Sequence, residues 1–187
     1  MKRLQAVAQS TDELECPMVV MDTAPAAVLG ASFDPIVAQQ EQKIIVNIGN
    51  FHTLAFLMGK DGIEGVFEHH TGEIDLPKLE TLLHAMADGS LKNEDVFDDM
   101  GHGALMYSQE KFEFRKDDYD VVVTGPRRSM YSNHSTLRPY FASPFGDMMI
   151  AGCFGLLAAT AEILPDLAET VLRSMKDAGD GRPPWEI

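Results

Sequence analysis

The chain has 187 residues, enough for about one domain in which roughly 70% of the unfolded surface can be buried. Fifteen Lys and Arg face twenty-nine Asp and Glu, a formal charge of −14 that repels polyanions and makes nucleic acid and anionic membranes poor partners. With two cysteines far apart, Cys16 and Cys153, no apolar signal core behind Met1 and no run reaching the ~20 residues of a membrane span, a reducing cytoplasm is the expected compartment.

Residues 1–15 read as a short polar helix, and Cys16-Pro17-Met18-Val19-Val20-Met21-Asp22 as a buried strand ending on a carboxylate. The small residues from Ala24 to Ala31, with Pro25 in the first turn, suit a helix packed closely on a sheet. Residues 1–35 thus look like the tail of a preceding domain. Their apolar surface is expected to seek that missing N-terminal domain or a second copy, so a homodimer is the expected state. The main domain is expected over 43–178.

Ile44-Ile45-Val46 and Leu54-Ala55-Phe56-Leu57-Met58 are strand-like runs around a polar bend of Asn47, Gly49, Asn50, His52 and Thr53. After the turn Gly59 to Gly62, Ile63 to His70 reads as a third antiparallel strand. Leu76, Leu79, Leu82, Leu83 and Met86 have helical spacing and stop at Gly89. A short helix from Asn93 to Met100 then precedes the turn Gly101-His102-Gly103. Val121-Val122-Val123-Thr124 is β-branched without alternation, as in a strand buried on both faces. A strand over 138–143, a long Ala- and Gly-rich helix over 147–164 and a last helix over 167–175 follow, with a loosely held tail at 179–187. Ala26-Ala27-Val28-Leu29-Gly30-Ala31 is echoed by Ile150-Ala151-Gly152-Cys153-Phe154-Gly155-Leu156-Leu157-Ala158-Ala159, a short match that is either chance or the mark of the ends of two duplicated units.

Chemistry concentrates at three places. In the central bend Gly49 lets a backbone approach a ligand, and Asn47, Asn50 and Thr53 offer groups that hold phosphate oxygens; an ordinary hairpin turn is the alternative. Arg127 and Arg128 follow a strand's carboxyl end, where an arginine pair grips a phosphate or carboxylate or else pairs with Asp117, Asp118 and Asp120. Glu68, His70 and His102, with His52, have ligand types for zinc or iron, against a polar hydrogen-bonded network as the alternative. His69 and His70 are adjacent on a strand, so they point to opposite faces and do not share an ion.

Three antiparallel strands, a helix, a strand, a helix and a strand in this order resemble one half of the actin-like ATPase and sugar-kinase superfamily. The resemblance implies a ribonuclease-H-like α/β domain, a mixed sheet of three antiparallel strands plus parallel βα units with helices on both faces. Val46 to Thr53 is similar to the superfamily's phosphate motif, Asp-x-Gly-x-x-x-Thr, Val122 to Arg128 to the turn that approaches adenosine, and Asp147 to Gly152 to the opening of its final helix. ATP and Mg in the full-length protein are thereby implied at Asn47, Gly49, Asn50, His52, Thr53, Thr124, Gly125, Arg127, Arg128 and Asp147. Asn47 stands where the motif has Asp, and an amide neither serves as a general base nor holds a magnesium hydration shell as a carboxylate does.

More narrowly, Gly49-Asn50-Phe51-His52-Thr53, Phe67-Glu68-His69-His70-Thr71-Gly72, Gly101-His102-Gly103-Ala104 and Thr124-Gly125-Pro126-Arg127-Arg128 resemble a prokaryotic family labelled putative pyruvate formate-lyase activating enzyme. The chain looks like its C-terminal half. Radical activases hold an iron-sulfur cluster on three closely spaced cysteines, which Cys16 and Cys153 do not provide. The expectation is one half of a nucleotide- or phosphate-binding ATPase or kinase-type protein, inactive as an isolated fragment. A non-catalytic binding or assembly module and a His-based metal-dependent hydrolase are the alternatives.

Overall fold

In the computed structural model residues 2–11, 13–108, 110–116, 118–132 and 135–177 are described. The central bend makes the expected hairpin: β1 (Lys43–Ile48) and β2 (His52–Gly59) pair antiparallel with Asn47 opposite Leu54. β3 (Gly62–His70) returns along β2, placing His70 opposite His52 and His69 opposite Thr53. β5 (Val121–Thr124) lies parallel to β1, and β6 (Pro139–Phe141) parallel to β5. β4 (Gly103–Met106) adds an antiparallel edge beside β3, giving the order β4-β3-β2-β1-β5-β6. Three antiparallel strands extended by two parallel ones are as the sequence predicts; β4 is an addition, formed where the sequence reads as turn and loop.

Period-two alternation gives the sheet two apolar faces. On one, Ile44, Val46, Ile48, Ala55, Leu57 and Phe67 pack against Leu79, Leu83 and Met86 of α3 (Leu76–Asp88). Asp75 caps that helix by accepting the Lys78 N–H, and Gly89, at φ 77°, ends it in the left-handed conformation that glycine adopts without strain. On the other face Ile45, Phe56 and Val122 pack against Val28 and Ala31 of α2 (Thr23–Ala31). Helices therefore cover both faces, with α1 (Lys2–Gln9) and α4 (Asn93–Phe97) as shorter elements.

α5 (Ala151–Ile163) packs on α2 through small residues, and α6 (Pro165–Asp177) packs on α5. A Cβ on Gly30 would lie 1.8 Å from the Ala151 carbonyl oxygen, and one on Gly155 would lie 1.9 Å from that of Ala26. The two segments that echo each other in sequence are thus in contact through their glycines and alanines.

The strand expected over 16–22 does not form. Residues 17–22 join no ladder, and Met18 is 46% exposed. A strand needs a neighbour for its N–H and C=O groups, and this segment pairs with no strand of the sheet, whose open edges are β4 and β6. The tail at 179–187 falls outside the described residues.

Buried carboxylates fasten the loops. Asp120 takes a two-point grip from Arg138, whose Nε and Nη2 donate at 3.0 and 2.9 Å. Burial pushes the Asp120 carboxyl pKa up, but the bonds from Arg138 and Arg115 outweigh it and leave the group below the usual value. Glu80, on α3, accepts from Ser135, from Thr136 and from the Leu137 N–H. Its pKa is likewise lowered, the hydrogen bonds overcoming burial. No described helix is long and apolar enough to cross a membrane.

Candidate functional site

The turn between β1 and β2 is held from both sides. The Gly49 N–H donates to the His52 carbonyl at 2.9 Å, and the Thr71 N–H donates to that of Phe51 at 2.8 Å. The Thr71 hydroxyl donates to the Gly49 carbonyl at 2.9 Å and lies 3.0 Å from the Thr53 hydroxyl. Residues 49–51 are thereby presented as a defined rim, with the Phe51 ring 81% exposed at its tip.

Beside this turn, β5 brings Thr124 level with Asn47. By alternation both side chains lie on the α2 face, together with those of Leu54, His52, Glu68 and His70. At Gly125 the chain turns with φ 98°, and a Cβ there would stand 2.5 Å from the Ile48 carbonyl oxygen and 2.9 Å from Asn47 Oδ1. Only glycine allows the two strand ends to approach so closely. The opposite wall comes from the start of α2 and the 3-10 turn that leads into α5, through Asp22, Thr23, Pro25, Met148 and Met149.

These elements enclose an open cavity of about 830 Å³, in the range of small-molecule sites. It sits at the carboxyl ends of β1 and β5, the usual ligand edge of an open α/β sheet. Of the residues singled out from sequence, Asn47, Gly49, Asn50, His52, Thr124 and Gly125 line it. The Thr124 hydroxyl is buried without a hydrogen-bond partner, and the Asn47 amide makes no side-chain hydrogen bond to another described residue.

Four predicted residues stand apart. Thr53 is fully buried on the α3 face, one step out of register with the cavity. Arg127 is exposed and donates its backbone N–H to Ile48, while the Arg128 guanidinium approaches the Met148 sulfur at 3.9 Å. Neither arginine lines the cavity, and it is Arg138 that pairs with Asp120. The Asp147 carboxylate is turned back to accept the Met149 N–H. Sequence reasoning missed Asp22, which lines the cavity across from the turn. Asp22 caps α2 by accepting the Thr23 N–H at 2.8 Å and pairs with Arg3 at 3.1 Å. A polar residue directly before a Pro-initiated helix was the available signal.

At the rim the histidines gather. The donor atoms of His52, His70 and His102 all lie within 4.8 Å of one another. Glu68 Oε1 is 3.6 Å from His52 Nδ1. His69 points the other way, as alternation requires: it is fully buried, with Nε2 3.3 Å from Asp99 Oδ2 and Nδ1 3.1 Å from the His70 carbonyl oxygen.

The molecule is thus a mixed α/β protein with an open cavity at the strand ends and a triad of histidines on its rim. Residues 1–130 match the family described as putative pyruvate format-lyase activating enzyme (DUF1786), and the chain belongs to that family. No curated protein matches the chain. No solved structure matches it either.

Proposed function

We propose that this chain is a phosphate- or nucleotide-binding half of an actin-like ATPase or kinase-type protein and does not turn over by itself. The observation that carries the reading is convergence. The Gly49–Asn50 turn, the Thr124–Gly125 strand end and the first turns of two helices meet on one cavity, into which the buried Thr124 hydroxyl brings an unused donor. The order β3-β2-β1-β5-β6, with β5 and β6 parallel to β1, supports a ribonuclease-H-like domain.

In this reading the backbone of the turn and the Asn50 amide meet the phosphates, and Asn47 positions without acid-base work. Asp22 already occupies the α2 N-terminus, so a polyphosphate needs a divalent cation such as Mg between it and that carboxylate. One phosphate turn without a facing domain leaves the phosphates solvated, which screens their stabilisation and gives back little of the entropy of positioning. The other half or a second copy of the chain is the partner in this reading. Leu156, Leu157 and Ile163 on α5 and Leu167 and Leu172 on α6 are exposed apolar residues that it would cover.

The name attached to the family describes a different chemistry. Cys16 and Cys153, both exposed and unpaired, fall short of the thiolates an iron-sulfur cluster requires. Calorimetry of the purified chain with magnesium and ATP is expected to give a dissociation constant of about 1 mM or weaker, near 4 kcal/mol, with no phosphate release. Micromolar binding with steady phosphate release would overturn the reading.

A further inference from the structure

We propose that His52, His70 and His102 bind one zinc-class transition-metal ion, with Glu68 orienting His52. The proposal stands apart from the nucleotide reading, because it concerns the rim and needs no phosphate. Donor atoms within 4.8 Å of one another are near the spacing an ion imposes. Zinc held by nitrogens at ~2.0–2.1 Å sets tetrahedral donors about 3.3 Å apart, so side-chain torsions have to draw the rings inward by about 1.5 Å at most.

The backbone already holds the three residues in place. His52 and His70 are directly opposed in the β2–β3 ladder. His102 is fixed by its N–H donating to the Glu68 carbonyl at 2.8 Å, and Gly103 after it takes φ 115° to start β4. The ring centroids stand 4.5 to 5.1 Å apart.

None of the three rings hydrogen-bonds to another described residue, whereas neighbouring His69 engages both its nitrogens. A cation held between the three rings would satisfy these nitrogens. A set of three imidazoles suits zinc, copper, iron or nickel rather than magnesium or calcium. Glu68 beside His52 Nδ1 favours the tautomer that leaves Nε2 for the ion. His52 and Glu68 also line the cavity, so an open fourth position lies at its rim, where water or a ligand oxygen completes the coordination.

The test uses the full chain, stripped by a chelator and titrated with Zn²⁺ alone, with Co²⁺ as a spectroscopic probe. One equivalent of zinc is expected to survive desalting, and Co²⁺ to show the intense visible absorption of tetrahedral nitrogen coordination. His102→Ala alters an exposed side chain and keeps the fold by circular dichroism; it and His70→Ala are each expected to weaken zinc by more than about 100-fold, and Glu68→Gln by about 10- to 100-fold. His84→Ala, on α3 against Phe114, keeps full affinity. The proposal fails if the wild-type chain retains no stoichiometric zinc, or if His102→Ala and His70→Ala bind as the wild type does. It also fails if zinc is lost from Cys16→Ser or Cys153→Ser instead.

Discussion

Replacing Gly155 by alanine puts two known effects in opposition and lets the α2–α5 contact decide between them. In the middle of an exposed helix, Gly→Ala stabilises by about 1 kcal/mol. Here the added methyl would stand 1.9 Å from the Ala26 carbonyl oxygen and 2.8 Å from the Gly30 nitrogen, both backbone atoms that no rotamer change removes. Restoring ordinary contact requires the two helices to part by about 1.5 Å, and overpacking of this kind costs about 1–3 kcal/mol. The expected net loss is about 1–2 kcal/mol, a fall in Tm of about 2–8 °C for a chain of this size. Gly152→Ala, in the same helix, is the matched control: its methyl meets nothing nearer than the Ala27 nitrogen at 3.9 Å, so it should gain up to about 1 kcal/mol. Urea unfolding and thermal melts of the two variants measure the difference. Equal stability, or Gly155→Ala above Gly152→Ala, would refute close packing of α2 on α5. Adding Gly30→Ala to Gly155→Ala should cost less than the sum of the two, because helices already parted admit the second methyl.

Asp120→Asn tests the grip of Arg138. The folded pKa of Asp120 lies below its unfolded value, because the Arg138 and Arg115 bonds outweigh burial. Its contribution is therefore full above an unfolded pKa of about 3.9 and is lost as pH falls through the folded value. The variant should be about 1–2 kcal/mol less stable at pH 7, toward the low end because the Arg138 side chain is 47% exposed, and its stability should change less than that of wild type between pH 5 and pH 3. A parallel loss in both proteins on acidification would show that the pair contributes nothing. Thr124→Val removes a buried hydroxyl that has no partner, so urea unfolding should show unchanged or slightly raised stability, while calorimetry shows weaker magnesium–ATP binding. Lower stability with unchanged binding would make the hydroxyl structural.

The strands that alternate or run β-branched were legible, because burial on one or two faces writes itself into residue type. β1 to β3 and β5 fall where Ile44 to His70 and Val121 to Thr124 place them. β4 was not legible: four residues beginning with glycine, half-buried at a sheet edge, leave no pattern. The apolar run at 17–22 misled for the opposite reason, since β propensity without a partner strand does not make a strand. At the site, the opposite facing of His69 and His70 followed from alternation alone. The same rule puts Thr53 on the α3 face, but applying it required knowing which face holds the cavity, which only the packing of α2 and α5 decides. Arg127 and Arg128 were read from position along the chain, and a left-handed Gly125 redirects the backbone before them. Asp22 joins the site through contacts with distant sequence, which no local pattern records.

The crossing of α2 and α5 also bears on the order in which the chain assembles during synthesis. α2 is made before all six strands, yet its covering helix only after them. β1 likewise waits for β5 before its parallel edge is closed. Such long-range pairings close slowly because the loop entropy precedes the reward. Until α5 arrives, the small apolar face of α2 has nothing to pack against, and the nascent chain is most exposed to aggregation or to chaperone capture during that interval.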